Sequence, residues 1–543
     1  MTTSVTQWLR LVLLLLCFSI SSILLADRWE NTNYNTTEGT EFYITTMKNG
    51  PASTANSTVL KVYLYATARE NTYICVDYKN KEDKILLIPS GGQNGINIPM
   101  EYIYTDESDA IQDADLSVKD TFVVTLPQDK SLHVYTCDAQ GRMDTTKKVS
   151  LYLTNYYTNY GYEVTNVLPV RALEREYMVQ TYSADKAATE FVVIATEDNQ
   201  VFEMSLRLNE EDTIYFKIAK TLKSNKGQTR LIRTADGFNP LSGTYICSDY
   251  KFVVYNGNQD CRITSNSSHV FEQAYSTDKW GYEYVATPTY NRTSNDCVIL
   301  TAIEDGTVIE KNGVKLIELE QGYSYEDKID EAAYYKSNKK ILCYLYENGE
   351  TKESPAMTTI TPISMGVKSI VVAAFNATAD DLGLDGAAKK AHRQIKDHHI
   401  NVVTEKAYKE DIYLGDTKVT GFKQVSNTKY YYATCKLNSA AVLKCNNENG
   451  TFTARMYGDY FPTDEDLKKN ITPFSYAYSA GSRVNRAVDM LINDKYIRYL
   501  RICLNDKVKF TPLIDFEYDR DNTKWIIGDD VIPFTSLGDD GIV

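Results

Sequence analysis

The sequence is poor in the residues from which catalytic and metal centres are usually built. It holds 5 histidines and 4 tryptophans in 543 residues, and no Cys-x-x-Cys pair, so zinc ribbons and thioredoxin-like redox motifs are excluded. It contains no G-x-S-x-G elbow, phosphate-binding P-loop, G-x-G-x-x-G turn or H-E-x-x-H helix, which removes the recognisable hydrolase, nucleotide-binding and metalloprotease signatures. Excess positive charge is also missing. With 58 Lys and Arg against 72 Asp and Glu the net charge is −14, which disfavours nucleic acid and anionic membrane surfaces as partners. Beyond the first 25 residues no apolar run is long enough to span a bilayer, so no membrane insertion is expected once the leader is removed.

What is abundant is tyrosine, 42 residues against 17 phenylalanines. Tyrosine fits a pleated, half-buried surface with one wet end, and points to sheet and to polar-rimmed binding faces. Apolar residues at 43% and charged residues at 24% are enough for packed cores and exclude wholesale disorder.

The N-terminus has Arg10 ahead of an apolar stretch from Leu11 to Leu25, with Ala26 before Asp27. This is the pattern of a secretory signal peptide over 1–26, with an uncleaved signal anchor as the alternative. Seven N-x-S/T sequons, at Asn35, Asn56, Asn266, Asn291, Asn376, Asn449 and Asn470, suit a glycosylated extracellular surface. Ten cysteines become nine when Cys17 leaves with the leader. An odd count in an oxidising compartment implies a free thiol or a disulfide-linked dimer. Cys435 and Cys445 flank a turn between two strand-like runs and form the best local pair.

Apolar residues alternate or come in short β-branched and aromatic runs bounded by Asn, Asp and Gly, so the chain reads as all-β. Helix signals are confined to 386–399 and 484–494. An internal repeat is visible when the strands are aligned. EFYITT (41–46), EYMVQT (176–181) and EYVATP (283–288) each precede an apolar strand, an acidic turn and a returning strand, and a weaker fourth copy begins at SIVVAA (369–374). The expected organisation is a signal peptide at 1–26, β repeat units at 27–165, 166–268, 269–360 and 361–465, and a β-rich tail at 466–543. About seven strands per unit match tandem antiparallel β-sandwich-like repeats, and the same strands taken in fours would make a β-propeller.

Several segments in this order carry a resemblance: GTEFYITTMKN (39–49), NVLPVRALEREYMVQTY (166–182), LSGTYICSDYKFVVYNGNQDC (241–261), FEQAYSTDKWGYEYVATP (271–288), FTARMYGDY (452–460) and FSYAYSAG (474–481). Together they resemble the N-terminal region of the IgGFc-binding protein family. The resemblance implies a secreted, non-catalytic, β-rich binding or adhesion region. It brings no residue motif for Fc, so the ligand stays open. Where the family typically carries a second cysteine just before His-Leu-x-Glu-Gln, this chain has Ser267. Cys261 must then pair elsewhere, with Cys247 nearest, or account for the odd thiol. No segment resembles cysteine-rich von Willebrand type D repeats.

The stretch HVFEQAYSTDKWGYEYVATPTY (269–290) poses the main choice between site and scaffold. His269 and Glu272 are three apart, which opposes them across a strand, and no third metal ligand accompanies them. The scaffold reading has Glu272 and Gln273 hydrogen-bonding a turn, and Trp280 and Gly281 packing at the start of the third unit. His392, His398 and His399 lack a recognised ligand spacing, and the acidic turn from Asp519 lacks the glycine and glutamate of a calcium loop. No metal, cofactor or catalytic residue is expected. The expected function is that of a secreted, non-enzymatic binding or adhesion glycoprotein of an extracellular surface or mucus-like matrix, with an extracellular protein or glycan as partner. An extracellular glycan-active hydrolase is the alternative, because a carboxylate pair is defined by its separation in space.

Overall fold

Four consecutive groups of strands repeat one sandwich plan, and the second group shows it most plainly. Its strand Tyr245–Arg262 is 18 residues long and serves two sheets. The first half pairs with Glu174–Met178 and Gln200–Glu210, and the second half with Thr189–Ala195 and Ser267–Gln273. The third group does the same with Ala333–Glu347, which pairs with Gly281–Ala286 and Thr307–Lys311 and then with Asp296–Ala302 and Ala356–Thr359. In the first and fourth groups the long strand is broken in two, into Leu132–Cys137 and Val149–Tyr157, and into Ala441–Cys445 and Phe452–Tyr460. There the sheets are separate, in the orders given by their pairings. Among the described residues the strands pair antiparallel, with two isolated parallel bridges, and the fold is all-β, as the alternation of the apolar residues requires. This computed structural model describes residues 36–484 apart from 51–59, 80, 107–109, 112–121, 159–160, 183–187, 211–212 and 235–240, and four short strands between 489 and 533.

Each group ends in a strand at the inner edge of its inner sheet: Gly161–Val167, Ser267–Gln273, Ala356–Thr359 and Phe474–Ser479. These four closing strands pack in cyclic order, first on second, second on third, third on fourth and fourth on first. The result is a propeller-like arrangement of four small sheets, each backed by an outer sheet. The two readings of the repeat therefore describe different levels of one structure. The ring is closed where Thr36 bridges Arg483 and the Thr37 N–H donates to the Ser482 carbonyl at 3.0 Å. The closing strand Phe474–Ser479, which falls in the expected tail, pairs with Phe452–Tyr460 of the fourth group, and the compact body ends at Val484. Beyond it, Asp489–Ile492 pairs with Phe510–Leu513 and Lys524–Ile527 with Asp530–Pro533.

The repeated Glu-Tyr pair has a structural cause. Tyr177 is fully buried, and its hydroxyl donates to the Phe252 carbonyl at 2.9 Å while accepting from the Glu174 N–H at 3.1 Å. One unit later Tyr284 repeats this, donating to the Ile341 carbonyl and accepting from the Gly281 N–H at 2.7 Å. Each hydroxyl satisfies a donor and an acceptor left unpaired where the first strand shifts register, which is why a tyrosine serves in these two copies.

Two sequence expectations are corrected. The helix expected over 386–399 is limited to Gly386–Ala391, and His398 and His399 lie on the strand Asp397–Glu405. The stretch expected to be helical at 484–494 contains the strand Asp489–Ile492.

Candidate functional site

The motif residues Glu272 and Gln273 sit where the closing strands meet. Glu272 Oε2 accepts the Thr359 N–H at 2.6 Å and the Thr359 hydroxyl at 2.8 Å, joining the second unit to the third. Gln273 faces the first unit: its side-chain oxygen accepts the Leu168 N–H at 2.7 Å, and its own N–H donates to Thr165 Oγ1 at 2.9 Å. Burial pushes the Glu272 carboxyl up to about 8. Glu163, on the neighbouring closing strand, is raised well above the ordinary carboxylate range by burial and by the charges of Glu347 and Glu272. The backbone N–H groups of Met357 and Val164 oppose that rise, but neither carboxylate oxygen of Glu163 makes a hydrogen bond of normal geometry.

His269 lies on the same strand as Glu272 but faces a different environment, its ring stacked on Phe271 at 5.8 Å. Neither ring nitrogen has a partner, and burial pushes the imidazole down to about 3, so it is neutral. His269 and Glu272 are thus not brought together as ligands, and among the described residues no group of three or more His, Cys, Asp or Glu side chains is placed to hold a metal ion. Trp280 is 2% exposed, in a cluster that mixes Met178, Cys261 and Val270 of the second unit with Ile299, Leu342 and Tyr344 of the third. A Cβ on Gly281 would overlap the Pro362 ring, so the close approach there demands glycine.

The buried carboxyls at the axis give the protein an unusual pH response. An acid whose folded pKa lies above its unfolded value of about 4.3 keeps a proton that the unfolded chain has released. The stability it contributes is fully present below about pH 4 and is lost as pH rises through the folded value near 8. Between those limits Glu272 alone gives a loss approaching about 1.4 kcal/mol per pH unit, to which Glu163 adds in the same direction. Urea titrations are expected to show stability falling as pH rises from 7 to 8, above the range in which the buried neutral histidines act in the opposite sense, and Glu272→Gln, which preserves the acceptor for Thr359, to flatten the slope. A slope that is unchanged in the variant contradicts this assignment.

A second polar cluster locks the third unit to the fourth. Arg292, with 1% of its side chain exposed, donates to Glu347 at 2.8 Å, Asp459 at 2.5 Å and Ser475 Oγ at 2.9 Å. Arg455 donates to Glu347 at 2.6 Å and to the Thr287 carbonyl at 3.1 Å. Burial pushes Glu347 upward, against the pull of both guanidinium groups.

A groove of about 640 Å³ lies on the fourth unit. One wall comes from the short helix and the segment that follows it, with Lys389, Arg393 and Lys396, and the other from the end of Phe452–Tyr460, with Asp459, Tyr460 and Phe461. The walls are braced. The Tyr460 hydroxyl donates to Asp466 at 2.7 Å, its ring stacks on Phe474 at 4.8 Å, and Arg393 Nε reaches the same Asp466 carboxylate at 3.1 Å. Asp466 also completes a capping box with Thr463, and these bonds hold its carboxyl well below the usual range. His392 turns the chain out of the helix. Its Nε2 donates to the Ala377 carbonyl at 3.1 Å and its Nδ1 accepts from the Tyr156 hydroxyl at 3.0 Å, with burial keeping the ring neutral. The three histidines of 392–399 therefore serve packing separately. The signal for this groove was readable at 389–396, where four basic residues occur with no acid.

The cysteine pairings are not formed. The eight described cysteines are free thiols. Cys247 and Cys261 lie on one extended strand, where fourteen residues at about 3.3 Å each keep them far beyond the roughly 7 Å that a disulfide spans. Cys435 and Cys445 do not face one another across a hairpin. They belong to Tyr430–Lys436 and Ala441–Cys445, strands of the inner and outer sheets respectively. Among the sequons, Asn291, Asn449 and Asn470 are exposed, and Asn266 and Asn376 are half-buried. Asn266 uses its amide nitrogen to donate to the Thr351 and Glu353 carbonyls. Asn35, Asn56, the leader 1–26 with Cys17, Cys503 and Asp519 lie outside the described residues.

Four sandwich units locked around an axis by buried polar groups, with an open groove on one of them, define a repeat-built all-β scaffold. The sequence profile of the IgGFc binding protein family matches residues 163–458, more than half of the chain, and the chain belongs to that family. It is a family of binding proteins rather than of catalysts. No curated protein sequence matches the chain. Among the described residues no helix is long and apolar enough to cross a membrane.

Proposed function

We propose that the mature protein is a secreted, glycosylated, non-enzymatic binding or adhesion protein of an extracellular surface or mucus-like matrix. The observation that carries this reading is the family membership, which spans the second, third and most of the fourth unit. The leader over 1–26 and the sequons supply the extracellular setting. The ring supplies rigidity: its hydrogen-bonded closing strands fix the outer faces relative to one another, which lowers the ordering cost of binding. The partner is an extracellular protein or glycan, and the half-buried free thiols of Cys247 and Cys435 make a disulfide-linked dimer a further form, visible on a non-reducing gel. A glycan array run beside an immunoglobulin pull-down with the purified secreted protein tests the reading. Retention of at least one class supports it, and failure to retain any protein or glycan from either set overturns it.

A further inference from the structure

We propose that the groove on the fourth unit binds an acidic sugar residue of a glycan, with Lys396 as the charge that selects it. This rests on the binding reading above and names a ligand class for one site. The argument begins with the charges. Each carboxylate on the groove already has a cation: Asp397 is paired with Lys436 at 3.1 Å and Asp459 with Arg292 at 2.5 Å. Of the lining cations, Lys389 is paired with Asp380 and Arg393 with Asp466 at 3.0 Å. Lys396 lines the groove, is exposed, and makes no ion pair or side-chain hydrogen bond among the described residues. The adjacent helix adds Lys390, also exposed, within a stretch that carries no acid. In a chain of net charge −14 this is a local positive site, and the charge it attracts is negative.

The shape argues for more than a simple anion. About 640 Å³ is room for several ring-sized groups rather than one inorganic ion. The opposite wall offers the aromatic side chains of Tyr460 and Phe461, with polar groups of Thr378 and Gln394 nearby. A lining that combines aromatic side chains and an unpaired ammonium with hydroxyl and amide groups suits a ligand that has apolar ring faces, many hydroxyls and one acid. The Tyr460 wall is held by Asp466 and Phe474, so it is in place before a ligand arrives.

Calorimetric titration of the full secreted protein with sialyllactose, sulfated lactose and unmodified lactose tests the proposal. Both acidic sugars are expected to bind and lactose to bind at least about tenfold more weakly. Lys396→Glu should reduce acidic-sugar binding by about tenfold or more, while Lys315→Glu, on an exposed strand of the third unit, makes the same change in net charge and should leave it intact. Phe461→Ala should weaken all three sugars. Equal affinity for lactose, full retention by Lys396→Glu, an equal loss with Lys315→Glu, or no binding of any of these sugars overturns the proposal. If the array and pull-down still show a retained partner in those cases, the binding reading stands and only this assignment fails.

Discussion

Trp280→Ala is expected to lower stability by about 3–5 kcal/mol, the cost of removing a fully buried aromatic side chain from a packed core. The indole fills the seam between the second and third units, against Met178 and Val270 on one side and Ile299, Leu342 and Tyr344 on the other. Its Nε1 donates to the Tyr275 carbonyl at 3.4 Å, so truncation also removes the donor that this buried carbonyl faces. Because the closing strands are cross-linked around the axis, loosening this seam should also lower the yield of secreted protein. Urea denaturation followed by circular dichroism measures the effect. An unchanged midpoint with normal secretion would show that Trp280 does not hold the seam.

Arg292→Met should cost a similar amount, about 3–5 kcal/mol, by a different route. The methionine fills much of the same volume but leaves Glu347 and Asp459 without the guanidinium between them, with Arg455 able to serve only the first directly. Buried and short of positive charge, the two carboxylates must take up protons or repel each other. The loss should therefore shrink as pH is lowered. It should also be non-additive with Glu347→Gln, which costs less in the Arg292→Met background than in the native chain. Equal costs in both backgrounds would mean that the two side chains are not coupled.

How much of this could be read from the sequence depended on whether the residues concerned were local. The alternation of apolar residues made the chain all-β, and the Glu-Tyr pairs marked the unit starts because Tyr177 and Tyr284 each complete the same pair of backbone bonds. Glu272 and Gln273 were expected to hydrogen-bond a turn, and the structure instead has both tying neighbouring closing strands together. The ring itself was not legible. A period counts strands but does not say that one strand of 18 residues serves two sheets, or that four closing strands gather on an axis. The same long strand separates Cys247 from Cys261, although they are close in sequence. The helix expected at 386–399 was lost to tertiary contacts, since Tyr156 and Ala377 hold His392 and Asp466 holds Arg393 away from a helical path. The groove joins residues 378–397 to 459–461, and only its basic wall left a sequence signal.

The ring is proposed to bind its ligand without catalysing a reaction on it. Passing mucin and mixed polysaccharide over the immobilised mature protein, and analysing both the retained material and the flow-through by mass spectrometry, tests it most directly. Retention is expected, with every recovered chain at its original length. Shortened chains in the flow-through, abolished by substitution of a single carboxylate, would contradict it.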